Sequence, residues 1–385
     1  MAQDAQVSVP YPLLPDILAF GAVQPSRREA VIAAIGSRGK WLASLNPDWN
    51  YAIQTSASDE EIWQTGADFD RLAALKRIRQ EDKTEAFDLV LKGFPQEPAD
   101  FRTKIVETIS QTVTPEDEPF LQILLTDRSQ EVRKTAVRAL VKLDGPFAKE
   151  VESQLLSLFK YTKSFLKKTL EVEPPPINEP PKKDPKGALE TLAFAWPKPY
   201  HGVGWRESLL IRMIGLVRPA QLTRHLGISP EDLINIANKH LYGQAIFQGL
   251  SKAAILFEDS AWAEALILDG RLPIFIPRLF KALPVRDQER LLAKLLRDGK
   301  TGMHEIMGLK QWSPELSHEF LKWCKSALTR GQMHFEPLAI AIRLHPSTYD
   351  AALNLIDEES EKRIGSWNET LPLLNDMRQT IRNNP

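Results

Sequence analysis

Cysteine is almost missing from these 385 residues, and the single Cys324 excludes an internal disulfide and any zinc site built only from the thiolates of one chain. A reducing compartment, the cytoplasm, is the expected location. Long apolar runs are missing too. No stretch reaches 18 uninterrupted apolar residues, so no bilayer-spanning helix is expected. Met1 to Phe20 holds Asp4 and Asp16 but no Lys or Arg and no continuous apolar segment, and does not read as a signal peptide. There is no charge excess: Lys plus Arg is 49 and Asp plus Glu is 50, a formal net charge of −1. Global charge therefore gives no attraction toward nucleic acid or an anionic membrane. Hydrophobic residues at 43% and charged residues at 26% are proportions of a chain that folds.

Catalytic signatures are equally scarce. Seven histidines are present, none paired with another at metal-ligand spacing; His318-Glu319 opens like a zinc-protease motif, but position 322 is Lys where the second ligand belongs. Gly299-Lys300-Thr301 ends like a phosphate-binding loop, yet position 294 is Lys in place of the first glycine. No Gly-x-Ser-x-Gly elbow and no dinucleotide fingerprint appear. Cys324, between Trp323 and Lys325, reads as a small core residue. No cofactor, metal or catalytic residue is expected.

What is present is helix punctuation. Ser, Thr or Asp followed three residues later by Glu, Asp or Gln satisfies the orphan amides of a helix start, and occurs at Ser26, Ser58, Asp82, Thr114, Asp127, Ser229 and Ser347. Thr114-Pro115 and Ser229-Pro230 add proline at the first helical position. Apolar residues then recur at helical spacing: Leu72, Leu75 and Ile78 with Ala86, Leu89 and Val90; Val132, Ala136, Ala139, Leu140 and Leu143; Val151, Leu155, Leu158, Phe159 and Leu166. The last stripe predicts a helix that also carries Lys160, Lys163, Lys167 and Lys168. Asp144-Gly145 and Asp269-Gly270 read as helix stops instead of hairpin turns. The expected fold class is all-α. Six prolines within the seventeen residues Glu171 to Gly187 allow no helix to run through. They predict a linker (171–187) between an N-terminal half (1–170) and a C-terminal half (188–385).

The segment from Asp127 through Val132, Arg133 and Ala136 to Leu140 resembles the second helix of a HEAT repeat, and Asp82 lies 45 residues earlier, within the period of such repeats. A HEAT-like α-solenoid is the expectation, with Asp127 capping its own helix and Arg133 reaching a neighbouring repeat in a structural ladder.

Binding candidates come from aromatic blocks. In Arg38 to Tyr51, Trp41, Trp49 and Tyr51 surround an Asn46-Pro47-Asp48 turn, and Trp63 follows. These residues either pack the first helices together, with Asn46 and Asp48 capping, or form a recognition surface rich in Trp, Tyr and Arg. A second block, Trp196 to Trp205, places aromatics between turn residues as a hinge contact or a binding loop. Arg71, Lys76, Arg77 and Arg79 supply local positive charge, read as a solvated face.

The run RGKWLASLNPDWNYA, Trp63 to Gly66 leading to Arg71 and Arg79, Asp117 to Leu121, Leu125 to Arg133, Gly202 to Pro219 and Ala237 to Leu266 resembles a bacterial family of helical domains of unknown function. The resemblance implies genes that neighbour MoxR-type AAA+ ATPases, von Willebrand A-domain proteins and SWIM zinc-finger proteins, and hence a scaffold or adaptor in an ATPase system. The functional expectation is a non-enzymatic scaffold binding protein partners, such as an AAA+ ATPase or a von Willebrand A-domain protein. The alternative is a nucleic-acid-binding HEAT-like protein, related in mode to helical-repeat DNA glycosylases, using Arg38, Trp41, Asp48 and Trp49.

Overall fold

The computed structural model describes residues 9–53, 58–164, 168–299, 309, 311–329, 343–348 and 351–352. Lys167, Lys300 and Thr301, His304, His334 and the Asp350 end of the Ser347 box lie outside them, as does Leu166 of the third apolar stripe. The chain divides into two compact units, Met1–Leu143 and Asp144–Pro385. The division falls ahead of the proline-rich run, which belongs to the second unit.

The first unit is built from α1 (Leu14–Val23), α2 (Arg28–Ala43), α3 (Asp59–Thr65), α4 (Asp68–Glu81), α5 (Lys83–Gly93), α6 (Ala99–Ser110), α7 (Glu118–Ile123) and α8 (Gln130–Lys142), with short 3-10 turns between several of them. The caps follow the sequence at three starts in the chain. Ser58 accepts from Glu61 N–H at 3.1 Å, Asp82 from Thr84 and Glu85 N–H at 2.7 and 3.1 Å, and Ser229 from Asp232 N–H at 3.1 Å. At Thr114 the reciprocal arm forms: the Asp117 carboxylate accepts Thr114 N–H at 2.9 Å. The expected start at Ser26 is displaced, because a 3-10 turn, Pro25–Arg27, places Arg27 at the cap of α2 without a side-chain bond. Leu75, Ile78, Ala86, Val90, Val132, Ala136, Ala139 and Leu140 are all buried, as their helical spacing demands. Asp144, not Gly145, takes the left-handed conformation (φ 55°) that follows α8.

The described residues are mostly helical, as expected; the second unit begins with α9 (Pro146–Ser157), and one predicted helix after it is replaced by a two-stranded sheet. β1 (Phe159–Lys163) and β2 (Lys168–Val172) pair antiparallel, with Phe159 facing Val172 and Tyr161 facing Leu170. The predicted helix through Lys160, Lys163 and Lys168 is therefore replaced by strands. The physical reason is a change of period: buried Phe159 and half-buried Tyr161 alternate with exposed Lys160 and Thr162, and exposed Glu171 lies between buried Leu170 and Val172, a period of two that a strand satisfies. Beyond the prolines, which are non-helical as expected, come α10 (Gly187–Ala195), α11 (Trp205–Ile214), α12 (Pro219–Leu226), α13 (Pro230–Ala237), α14 (Gly243–Leu256), α15 (Ser260–Asp269), α16 (Ile276–Lys281), α17 (Val285–Arg297) and α18 (Pro314–Thr329). Arg206 of α11 ties the proline run down by donating to the Pro174 and Pro175 carbonyls at 2.9 and 2.8 Å. Gly249 of α14 lets that helix approach α11 closely, since a Cβ there would lie 2.5 Å from the Cβ of Ile214. Gly270, at φ +72°, ends α15 as the sequence predicts.

Candidate functional site

The first aromatic block divides in two. Its inner part packs the N-terminal helices: Leu14, Leu18, Val31, Ile35, Ala43 and Ala52 form a buried cluster against which Trp49 and Tyr51 are half-buried. The Tyr51 hydroxyl donates to the Leu18 carbonyl at 3.0 Å, and its ring lies 4.9 Å from the Arg28 guanidinium. Desolvation pushes the Tyr51 hydroxyl pKa up, with the Arg28 charge opposing. Gly21 makes room for this phenol; a Cβ there would meet its oxygen at 2.1 Å. Asn46 caps the 3-10 segment Pro47–Ala52 by accepting from Asp48 N–H at 3.1 Å, while the Asp48 side chain is exposed. Trp63 is buried and stacks on Phe101, with the Arg71 guanidinium 4.8 and 4.4 Å from the two ring centroids.

The outer part of the block faces solvent. Trp41 is 61% exposed, and Arg38, also exposed, stacks 4.3 Å from the centroid of the Tyr11 ring. Of the six binding candidates, Arg38, Trp41 and Asp48 are thus on the surface, and Asn46, Trp49 and Tyr51 hold the local fold.

The basic residues of α4 are not a common solvated face. Arg77 bonds Asp59 through two nitrogens at 2.6 to 3.0 Å, and Arg71 pairs with Glu97. Arg79 is buried against Asp117, with Nη1–Oδ1 at 2.8 Å and Nη2–Oδ2 at 3.0 Å. A second buried pair lies one step along the chain: Arg102 of α6 reaches Asp127 at 2.8 Å, and the same Asp127 oxygen accepts from Ser129 N–H at 2.7 Å. Asp127 thus bonds the amide of Ser129, the residue just before α8, instead of capping the helix as expected; the arginine that meets its carboxylate is Arg102, whereas Arg133 donates to the Asp127 backbone carbonyl at 2.5 Å. Burial lowers the Arg133 pKa, and Asp127 opposes the shift. The roles of Arg102 and Glu97 escaped the sequence reading; Arg102 sits beside Phe101 on an apolar helix face, and an arginine so placed is the available signal of a buried partner.

In the second unit, Arg212 pins the Trp196 to Trp205 loop. It donates to the Trp196 carbonyl at 2.9 Å and to the Lys198 carbonyl, and lies 4.8 Å from the Tyr200 ring centroid. Lys252 of α14 lies over the same ring and over Phe275, at 5.0 and 5.5 Å. An open groove of 570 Å³ runs between α9 and α12, lined by Asp144, Lys149, Glu152, Ser153, Leu156, Ser157, Gln221 and His225. Among the described residues no group of three or more His, Cys, Asp or Glu is placed to hold a metal ion, and no helix is long and apolar enough to cross a membrane.

A model described as "Family of unknown function (DUF5691)" matches residues 1–383, and the chain belongs to that family. No curated protein and no solved structure matches it.

Proposed function

We propose that this DUF5691 member is a non-enzymatic, HEAT-like helical scaffold that binds protein partners in the cytoplasm. The observation that carries the reading is the outward presentation of Trp41, Arg38 and Tyr11, with Arg38 stacked on the Tyr11 ring, on a unit where Trp49, Tyr51 and Trp63 turn inward and Arg71, Arg77 and Arg79 are held by carboxylates. Trp, Tyr and Arg are the side chains that dominate binding hot spots. The HEAT-like character is supported by paired helices such as α6 and α8 and by the arginine–aspartate contacts that link successive steps, Arg79 to Asp117 and Arg102 to Asp127. An AAA+ ATPase or a von Willebrand A-domain protein is the partner the family resemblance favours.

Nucleic acid is disfavoured as the ligand, because Arg71, Arg77 and Arg79 are each neutralised by a carboxylate and have little charge left for phosphates. The test is lysine crosslinking in the native host followed by mass spectrometry. Reproducible crosslinks from this chain to the same protein in independent cultures are expected; their absence at native abundance overturns the scaffold reading.

A further inference from the structure

Four side chains of the first unit make one exposed strip. Arg38, Trp41 and Leu45 recur at i, i+3 and i+7 along the second half of α2 and the turn that prolongs it, and Arg38 stacks on Tyr11. Tyr11 is 63% exposed, Trp41 61% and Leu45 62%. α2 kinks at Gly36 (φ 59°); Gly39 and Ala43 of the segment after the kink are buried, as are Val31 and Ile35 before it, so the strip is the outer surface of a packed helical segment.

Its charge is one-sided. The sequence between Glu29 and Asp48 contains no Asp or Glu, while Arg38 and Lys40 are exposed. Arg28, Arg71, Arg77, Arg79 and Arg102 of this unit are each held by a carboxylate, whereas Arg38 rests on a ring. Size narrows the occupant further. With 150–250 Å² for a fully exposed aromatic side chain, Tyr11, Trp41 and Leu45 offer roughly 400 Å², about half the 800 Å² each partner contributes to a stable dimer. A short segment fits that area better than a second copy of the chain.

We propose that this strip binds a short acidic segment of a protein partner carrying one or two large apolar anchors. Its carboxylates meet Arg38 and Lys40, and its anchors cover Trp41, Leu45 and Tyr11. The inference rests on the protein-binding reading and gives that reading its chemistry.

The test pans the whole immobilised chain against a displayed library of short random peptides. Enrichment of Asp and Glu beside Leu, Phe or Trp is expected, with binding that weakens as salt is added. Trp41→Ala and the double variant Arg38→Glu, Lys40→Glu are each expected to weaken the selected peptides about tenfold or more, with circular dichroism unchanged because all three side chains are exposed. An enriched set without acidic bias, peptides indifferent to both variants, or no enriched peptide overturns the inference. So does concentration-dependent dimerisation in sedimentation that Trp41→Ala abolishes, since a second copy would then be the occupant. Failure here with crosslinking to a partner intact removes only the acidic-segment inference; loss of both removes the scaffold reading as well.

Discussion

Arg79 and Asp117, 38 residues apart in the chain, meet as a buried ion pair closed by two hydrogen bonds of 2.8 and 3.0 Å. Their side chains are 3% and 4% exposed, so neither charge has water to fall back on. The Asp117 carboxylate also closes the capping box at Thr114, which couples the start of the 3-10 turn before α7 to the last turn of α4. Asp117→Ala is expected to destabilise the protein by about 3–5 kcal/mol, because it leaves the guanidinium uncompensated. The double variant Arg79→Met, Asp117→Leu should recover much of that loss. Urea denaturation of the single and double variants measures both.

Trp41 and Trp262 are chemically identical and differ only in burial, 61% against 2% exposed. Trp41→Ala should move the thermal midpoint little, while Trp262→Ala should cost about 3–5 kcal/mol. Differential scanning calorimetry of the two variants separates a surface ring from a packing ring; a large loss at Trp41 would mark it as structural.

The close approach of α11 and α14 depends on Gly249, where a Cβ would lie 2.5 Å from Ile214 Cβ and 2.7 Å from its Cγ2. Gly249→Ala is expected to destabilise by about 1–3 kcal/mol through overpacking, outweighing alanine's better helix propensity. Ile214→Val removes only Cδ1 and keeps both contacted carbons, so it should rescue little. Chemical denaturation of the pair of variants tests the geometry.

His240 sits under the strand pair, its Nδ1 accepting the Tyr242 N–H at 3.0 Å, so the ring is held neutral by that bond and by burial. Burial is the main cause of its lowered pKa, and a hydrogen bond from the ring to the Leu170 backbone opposes it. A histidine whose folded pKa is depressed binds fewer protons than in the unfolded chain. Its stabilisation is therefore complete above the ordinary histidine value of about 6.5 and is lost as pH falls through the lower folded value. Thermal melts across that range should show stability dropping on acidification, and His240→Gln should flatten the slope.

Cys324 is buried in α18, and desolvation drives its thiol pKa far up. It should resist a thiol-reactive disulfide in the native protein and label at once in denaturant. Rapid native labelling would contradict its burial.

Much of the fold was readable because local chemistry decided it. Ser58, Asp82 and Ser229 bond amides only two or three residues away, and the apolar stripe of α8 needs only its own periodicity to declare a buried face. The strand pair was not readable. Val151, Leu155 and Phe159 continue a helical stripe in the sequence, and only pairing of Phe159 with Val172, thirteen residues on, turns the period from 3.6 to 2. The candidate site was half legible for the same reason. Composition picked out Arg38, Trp41, Asn46, Asp48, Trp49 and Tyr51, but a ring's fate depends on what packs over it.

By itself, then, the sequence determined a mostly helical chain, its helix starts at Ser58, Asp82 and Ser229, its proline interruption and its concentration of aromatics near residue 41, since each follows from bonds or steric limits within a few residues. Tertiary structure alone decided that Arg79 and Arg102 are buried against aspartates, that Trp49 and Tyr51 turn inward, and that Trp41 is left facing water. Those outcomes hang on contacts between residues tens of positions apart, where desolvation cost and the partner that offsets it are set by packing.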